Sequence, residues 1–199
     1  MNIDFHVHTS ERSNCAASRE SEQIQKAISA GLDSIAITDH HRLVPREHLA
    51  ELNQHHPSLK ILTGIEITSD GEDWLVLGLH DANLESEAWS YPDLHSFVRA
   101  KGGTLVWAHP FRYHADIRMD LGRYPPDAIE GRSYNIRADN VARIQQLAAQ
   151  LHLPTLCNSD AHHISALGHY YNILHANVQT EQEILAALRS GAMQPSIQM

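Results

Sequence analysis

The sequence Asp4-Phe5-His6-Val7-His8-Thr9 places two histidines two residues apart in a segment typical of a first strand. Side chains two residues apart on a strand point to the same face, so His6 and His8 can bind one metal ion together. Chance histidines on a surface or in a core give the same short pattern, so the pair alone is a weak signal. Its meaning depends on what the rest of the chain supplies.

Four further segments follow the same design, in which a histidine or an acidic residue comes directly after a short apolar run. They are Thr38-Asp39-His40-His41, Gly64-Ile65-Glu66, Ala108-His109-Pro110 and Asn158-Ser159-Asp160-Ala161-His162. If each apolar run is a strand, every segment places its polar residue at a strand end. Five such segments in one chain predict a metal site that is built from several strands.

Strand-like and helix-like segments alternate along the chain six or seven times, and Thr180 with Glu183 forms a capping-box pattern that opens a final helix. The alternation predicts an α/β fold with a mostly parallel sheet. Chemistry in such folds lies beyond the C-terminal ends of the strands, and a closed barrel gathers those ends into one mouth. A full eight-stranded barrel is tight for 199 residues, so we expect a smaller or distorted barrel, with residues 1–199 as one domain.

The composition is that of a globular protein, with 42% hydrophobic and 20% charged residues. A formal net charge of −9 argues against a general nucleic-acid-binding surface, although bound divalent cations would still admit an anionic substrate. The N-terminus has no basic segment of a secretory signal, no apolar run reaches membrane-spanning length, and only Cys15 and Cys157 occur. These features predict a cytoplasmic protein.

The side chains in the five segments favour particular metals and a particular chemistry. Imidazole and carboxylate ligands suit zinc, manganese and iron, and Glu66 or Asp160 could bridge two ions. Metal ions a few ångströms apart lower the pKa of a bound water and hold the attacking and leaving oxygens of an in-line phosphoryl displacement. The segments therefore favour a hydrolase that uses more than one metal ion.

The ordered set of motifs resembles the PHP family, named for polymerase and histidinol phosphatase. The matching motifs are Asp4-Phe5-His6-Val7-His8-Thr9, Thr38-Asp39-His40, Gly64-Ile65-Glu66 with Ala108-His109-Pro110, and Ser159-Asp160-Ala161-His162. They span residues 4–162, and Leu167-Gly168 with Tyr170-Tyr171 is similar to the segment that follows in small stand-alone members. The resemblance implies a distorted seven-stranded (β/α) TIM-like barrel that holds a cluster of up to three metal ions.

The resemblance also implies a set of metal ligands by position. This set is His6, His8, His40, Glu66, His109, Asp160 and His162. Glu66 would bridge a first ion, which it shares with the H-x-H pair and Asp160, to a second ion held with His109. His40 and His162 would hold a third ion.

Two other residues have expected roles, and two positions depart from the family pattern. Asp39 is expected to orient a ligand, and Arg112 is a candidate for binding a substrate phosphate, which its planar guanidinium suits. The family usually has an Asp or His shortly after the first motif, and often a His on the strand after the Glu motif. Glu11, Cys15 or His80 could replace these ligands, although we expect Cys15 to be a buried structural thiol.

The favoured function is that of a metal-dependent phosphoesterase. It would hydrolyse a small phosphate ester of a nucleotide, a sugar or an amino alcohol with a metal-activated water, using two or three divalent ions of zinc, manganese or iron. A nuclease or phosphodiesterase, an amidohydrolase that shares the H-x-H start, and a metal-binding domain without catalytic activity are the alternatives. The sequence carries no motif for a base or a sugar, so the substrate, monoester or diester chemistry and the oligomeric state stay open.

Overall fold

The computed structural model describes residues 1–86 and 88–198. Within these ranges the chain forms nine strands, five α-helices and a short 3-10 helix at Ala82–Glu85. The strands are β1 Asn2–Val7, β2 Ser34–Ile37, β3 Lys60–Ser69, β4 Glu72–Leu77, β5 Thr104–Trp107, β6 Ala128–Arg132, β7 Thr155–Cys157, β8 Tyr170–Leu174 and β9 Met193–Ile197. The helices are α1 Glu20–Ser29, α2 Arg46–His55, α3 Tyr91–Lys101, α4 Ala138–Leu151 and α5 Glu181–Arg189. None of these helices has the length and apolar character needed to cross a membrane.

The strands form one sheet in the order β7-β6-β5-β4-β3-β2-β1-β8-β9. The pairs β1–β2, β2–β3, β5–β6 and β6–β7 are parallel, and a helix connects the two strands of each pair except β5–β6. The pairs β3–β4, β4–β5, β1–β8 and β8–β9 are antiparallel. The predicted distorted α/β barrel is confirmed, but the expected count of seven strands is too low and the sheet is mixed rather than mostly parallel.

A two-residue turn at Asp70 and Gly71 explains the first antiparallel pair. Both residues have positive φ values, 52° and 83°, as the hairpin turns that Asp-Gly favours require. Because β4 runs against β3, its early residue Asp73 pairs with Thr68 near the end of β3. Asp73 therefore lies at the same end of the barrel as Glu66, which is also on β3.

The barrel closes through a side chain where no ladder joins β7 to β8. The amide of Asn172 donates from Nδ2 to the carbonyl of Cys157 at 2.8 Å and accepts from its N–H at 2.9 Å, as a neighbouring strand would. The segment after β7 then runs beside β1, where the backbone N–H of His8 donates to the carbonyl of Ala161 at 3.0 Å. The first and last motifs of the sequence are thus side by side.

Apolar packing on both faces of the sheet fixes the strands. One buried residue from each of five strands fills the interior beneath the polar end of the barrel; these residues are Ala36, Leu62, Leu75, Val106 and Leu156. On the outer face Trp74 and Trp107 stack with ring centroids 5.6 Å apart, and Tyr91 of α3 stacks on Trp74 at 3.9 Å. Truncating a buried aromatic side chain costs about 3–5 kcal/mol, so this packing strongly holds β4 and β5 together.

Helices pack against the outer face of the sheet, and the last helix begins at the residue that its sequence predicts. α1 contributes Ile24 and α4 contributes Ile144 to buried clusters on the outer face of the sheet. α5 starts at the predicted capping box, where the N–H of Glu183 donates to the Thr180 hydroxyl at 3.2 Å and the Glu183 carboxylate accepts from the Thr180 N–H at 2.9 Å.

Gly64 allows β2 and β3 to approach each other closely beside Glu66. A Cβ at this position would lie 2.7 Å from Cγ2 of Thr38 and 3.0 Å from the carbonyl oxygen of Ile37. A larger residue would therefore push β3 away from β2. The glycine of the Gly-Ile-Glu motif is explained by this close contact.

Candidate metal centre

The seven predicted ligands lie together at one end of the barrel. His6 is on β1 and Glu66 on β3, while the other five closely follow β1, β2, β5 or β7. Those that are at most 2% exposed are His6, His8, Glu66, His109 and Asp160. The side chains of His40 and His162 are 30% and 24% exposed, so they form the mouth of the site.

Glu66 lies between two pairs of imidazoles. Its Oε1 is 3.1 Å from Nε2 of His109 and 3.3 Å from Nε2 of His6. Its Oε2 is 3.1 Å from Nε2 of His8 and 3.2 Å from Nδ1 of His40. Each oxygen of this one carboxylate therefore faces a different part of the site.

Asp160 shares three of these imidazoles with Glu66 and also contacts His162. Its Oδ1 is 3.3 Å from Nε2 of His6 and from Nδ1 of His162. Asn135 donates to its Oδ2 at 2.7 Å, a contact that the sequence did not reveal. Asp160 and His109 also have positive φ values, 51° and 27°, which for residues other than glycine are costly and concentrate at functional sites.

The spacing of these atoms fits metal binding. Two ligand atoms that each lie about 2.1 Å from one ion, at angles of about 90–110°, are about 3.0–3.4 Å apart. The Nε2 atoms of His6 and His8 are 3.0 Å apart, and among the described residues Glu66 Oε2 and Asp160 Oδ1 are buried without a hydrogen bond. Such buried polar atoms are costly unless a partner such as a cation satisfies them. The donor set therefore fits divalent ions.

The charges in the site shift the pKa values of its members. Burial alone would raise the pKa of Glu66 and Asp160, but the neighbouring imidazoles, His6 foremost, hold both pKa values well below the usual range. Burial favours neutral His8, yet the Asp160 and Glu66 carboxylates beside its Nε2 raise its pKa to about 9. The ionised carboxylates thus favour positive charge in this site, as a cation site requires.

Asp73 also belongs to the site, although the sequence did not identify it. Asp73, Glu66 and His109 each offer a ligand atom within 4.8 Å of the others. The Thr68 and Tyr113 hydroxyls donate to the two oxygens of Asp73 at 2.6 and 2.8 Å. Asp73 lies on the strand after the Glu motif, where the family often has a histidine.

Glu130 on β6 is a second residue that the sequence did not identify. Its Oε1 is 3.1 Å from Nδ1 of His6 and accepts from Asn158 Nδ2 at 3.0 Å. Its Oε2 accepts from the backbone N–H of His109 at 2.9 Å. Glu130 is fully buried, and it contacts Nδ1 of His6 and the backbone N–H of His109, not the Nε2 atoms that face Glu66.

Asp39 makes its closest link to the site through Ser13. The Ser13 hydroxyl donates to Asp39 at 2.8 Å, accepts from the N–H of His40 at 3.0 Å and lies 3.3 Å from Nδ1 of His8. Asp39 also accepts from Thr9, and from Nε of Arg12 at 2.8 Å. Its expected role in orienting a ligand would therefore act through Ser13.

Arg112 lies at the mouth, where its Nη1 is 3.4 Å from Oδ2 of Asp160 and its side chain is 34% exposed. It lines a cavity of about 420 Å³ together with Tyr134, Asn135 and His163. This position is compatible with the expected contact to a substrate phosphate, which stays a prediction.

The three residues considered as replacement ligands do not join the candidate ligands. His80 follows the end of β4 that is opposite to Asp73, and its Nε2 contacts the carbonyl of Val44 at 2.9 Å. Glu11 accepts from the N–H of Glu20 at 2.9 Å. Cys15 is exposed at the mouth, so the expectation of a buried thiol is wrong. None of the three belongs to a group of candidate ligands among the described residues.

A barrel with imidazoles and carboxylates converging at its mouth defines an α/β-barrel protein with a candidate multi-metal centre. Residues 4–127 match the family model described as PHP domain, and residues 140–193 match the one described as PHP-associated. The first match covers more than half of the chain, so the protein belongs to the PHP family. No curated protein matches the chain significantly.

Solved structures share this fold. A two-domain protein from Bacteroides vulgatus, described as containing a predicted PHP-like metal-dependent phosphoesterase, has a TM-score of 0.79 and 16% identity, and the match covers 99% of this chain but only 64% of that one. PsfC from Pseudomonas syringae has a TM-score of 0.71 and 22% identity over 98% of this chain and 89% of its own. An amidohydrolase from Chromobacterium violaceum, solved with sulfate and no metal, has a TM-score of 0.62 and 16% identity over 81% and 88%.

Proposed function

We propose that the protein is a metal-dependent phosphoesterase that hydrolyses a small phosphate ester of a nucleotide, a sugar or an amino alcohol. The observation that carries this proposal is the position of Glu66, whose two oxygens each lie 3.1–3.3 Å from a different pair of imidazoles. A carboxylate so placed can bridge two ions. Two or three divalent ions of zinc, manganese or iron would be held by His6, His8, His40, Glu66, His109, Asp160 and His162.

Bound divalent ions would activate water and neutralise the charge that develops on the phosphoryl group. The protein's own part is to hold the ligands rigidly and to keep water from their outer sides. Five members of the set are buried in the barrel end, and His40 and His162 are the partly exposed members. Reaction would therefore take place on the mouth side of Glu66 and Asp160.

Arg112 would bind the substrate phosphate. Its guanidinium contacts Asp160 from the cavity side, so a phosphate oxygen at the mouth would lie within its reach. Asn135 holds the other side of the same Asp160 oxygen, which keeps the carboxylate oriented toward the imidazoles. A cavity of about 420 Å³ suits a small ester.

Phosphate release tests the proposal. Nucleotides, sugar phosphates and histidinol phosphate would be assayed with manganese, with zinc and with a chelator. We expect chelator-sensitive release from at least one compound, its loss in the His6→Ala and Asp160→Ala variants, and its retention in His175→Ala, which changes an exposed histidine. Thermal melting of each variant separates loss of chemistry from loss of fold. Metal binding without release from any compound would favour a non-catalytic domain, and cleavage of amides alone would favour an amidohydrolase.

A phosphodiesterase is the second candidate, because two cavities meet at the mouth. One, of about 530 Å³, is lined by Arg12, His41 and Arg42, and both cavities reach Cys15. A diester carries groups on both sides of its phosphorus and could occupy both. Parallel assays with p-nitrophenyl phosphate, bis(p-nitrophenyl) phosphate and labelled single-stranded DNA distinguish the candidates. Turnover of the monoester alone would exclude the diesterase.

The expected partner is a small-molecule phosphate, and the net charge of −9 disfavours nucleic acid as a general partner. Two free cysteines, of which Cys15 is exposed, support the proposal that the protein works in the reducing cytoplasm. Extracts fractionated by compartment would test this location.

A further inference from the structure

Among the groups of candidate ligands in the site, two differ most in the kind of donor atom that they offer. The carboxylate position is bounded by Glu66, Asp73 and His109, and the imidazole position is bounded by His8, His40 and His162. We propose that the carboxylate position selects a hard ion such as Mn²⁺, whereas the imidazole position selects Zn²⁺. This inference rests on the metal cluster of the proposed function and adds Asp73 to its ligands.

The surroundings of Asp73 suit a metal ligand. The side chain is 1% exposed, and its hydrogen bonds come from the neutral hydroxyls of Thr68 and Tyr113. Among the described residues, its one charged partner within 4.0 Å is His109, at 3.8 Å. A negative charge buried among neutral donors is unfavourable, and a bound cation would compensate it. The two hydroxyls would at the same time fix its orientation.

The fold explains why a carboxylate is available at this place. The Asp70-Gly71 turn reverses the chain, so β4 runs antiparallel to its neighbours and begins, rather than ends, at the mouth. Asp73 is therefore the β4 residue that faces the site. The carboxylate position has two carboxylate ligands and one imidazole, whereas the imidazole position has three imidazoles.

This difference in donors predicts a difference in selectivity. Carboxylate oxygen suits Mg²⁺, Ca²⁺ and Mn²⁺, whereas imidazole suits zinc and the later transition metals. Zinc binds a given set of donors more tightly than manganese does, so the prediction concerns the ratio of the two affinities. That ratio favours manganese more at the carboxylate position than at the imidazole position.

Metal competition on the full-length protein tests the inference without relying on activity. Chelator-treated protein would receive one equivalent each of Zn²⁺ and Mn²⁺. Bound manganese would be measured by electron paramagnetic resonance and total metal by mass spectrometry. The variants are Asp73→Asn, Asp73→His, His162→Ala and Tyr113→Phe, with Asp116→Asn as the matched control at an exposed aspartate.

We expect the wild-type protein and Asp116→Asn to hold both metals. Because loss of a mere supporting contact lowers metal affinity by about 10–100-fold, Asp73→Asn should lower the manganese affinity by at least about 10-fold, with zinc affinity changed less than about twofold. Asp73→His should lose the bound manganese, and it should bind a second zinc when two equivalents of Zn²⁺ are supplied. His162→Ala should weaken zinc and spare manganese. Tyr113→Phe leaves the ligands intact and should weaken manganese only, which keeps the inference testable if an Asp73 variant does not fold.

Two results would overturn the inference and are distinguishable from each other. The first is unchanged manganese affinity in folded Asp73→Asn. If the Asp73 variants do not fold, unchanged affinity in Tyr113→Phe serves instead. Either outcome would refute the carboxylate position and leave the proposed phosphoesterase intact. Failure of the wild-type protein to hold either metal would refute the metal cluster, and the proposed function with it.

Discussion

Nδ1 of His6 lies 3.1 Å from Oε1 of Glu130, which is fully buried behind the candidate metal centre. An imidazole that donates its Nδ1–H to a carboxylate presents the unprotonated Nε2 on its other side. For His6 that side faces Glu66 and Asp160, at 3.3 Å from each. Glu130 also accepts from the N–H of His109, so one side chain orients two candidate ligands.

Glu130→Gln should therefore weaken metal binding without abolishing the fold. The amide keeps the size of the carboxylate but loses the charge that fixes the His6 tautomer, and such supporting contacts are worth about 10–100-fold in metal affinity. Isothermal titration with zinc would measure the loss. The control is Glu181→Gln. The Glu181 carboxylate accepts a hydrogen bond from the Thr63 N–H and is not among the candidate ligands. Equal affinities in the two variants would remove Glu130 from the positioning role.

Asn172→Ala should destabilise the barrel. The substitution leaves both the N–H and the carbonyl of Cys157 without the partner that closes the sheet. Each unsatisfied buried group costs about 1–3 kcal/mol, so the free energy of unfolding should fall by roughly 3 kcal/mol. Urea denaturation measures this fall, and Asn177→Ala, at an exposed asparagine, should leave the midpoint unchanged. Identical midpoints for Asn172→Ala and the wild-type protein would mean that the closure between β7 and β8 does not depend on Asn172.

Metal binding should release protons at pH 7–8. The pKa of His8 is raised to about 9 because the Asp160 and Glu66 carboxylates beside it outweigh burial, so the ring is protonated at neutral pH until an ion displaces the proton. Affinity should rise with pH toward about 9. Titration in buffers of different ionisation enthalpy counts the protons, and a count of zero would contradict the assignment.

The same shift predicts how the chelator-treated protein responds to pH. The folded pKa of His8 lies above the ordinary value of 6.5, so its stabilising contribution is complete below pH 6.5. The contribution is lost as the pH rises through about 9. The melting temperature of wild-type protein should therefore fall over this window more than that of His8→Gln. Parallel pH dependences would show that His8 does not carry the effect.

The two cysteines should differ sharply toward thiol reagents. Burial raises the pKa of Cys157 to about 12, with the charges of Asp4 and Glu130 adding to the shift, and its side chain is not exposed. Cys15 is exposed at the mouth. One thiol should react quickly at pH 8 in the native protein, and Cys15→Ser should remove that phase. Two fast thiols in the native protein would contradict the buried position of Cys157.

The ligand motifs could be predicted from sequence because each is a local pattern. A short apolar run followed directly by His, Asp or Glu marks a strand end, and parallel strands bring such ends together. The structure brings all seven of these residues into one site. Glu130 carries the same signal, since it directly follows Ala128 and Ile129, but an apolar run of two residues is a weak indication of a strand end.

Other parts of the fold depend on information that the local pattern does not hold. Asp73 lies near the start of β4, which runs in the opposite direction, so a pattern that marks ligands at C-terminal strand ends does not indicate it. The Asp70-Gly71 dipeptide was the signal for that reversal. Asn172 closes the barrel through a contact with Cys157, which is distant in sequence. The link from Asp39 through Ser13 to His8 also joins residues that are distant in sequence. No periodicity marks such pairings.

The central claim is that hydrolysis depends on ions held around Glu66. The most direct test is to titrate chelator-treated protein with manganese or zinc while phosphate release from the responsive substrate is followed. Release should rise from zero and level off at two to three equivalents in the wild-type protein. It should stay near zero in folded Glu66→Gln at every metal concentration. Release that survives the chelator, or that Glu66→Gln supports at the wild-type rate, would contradict the account.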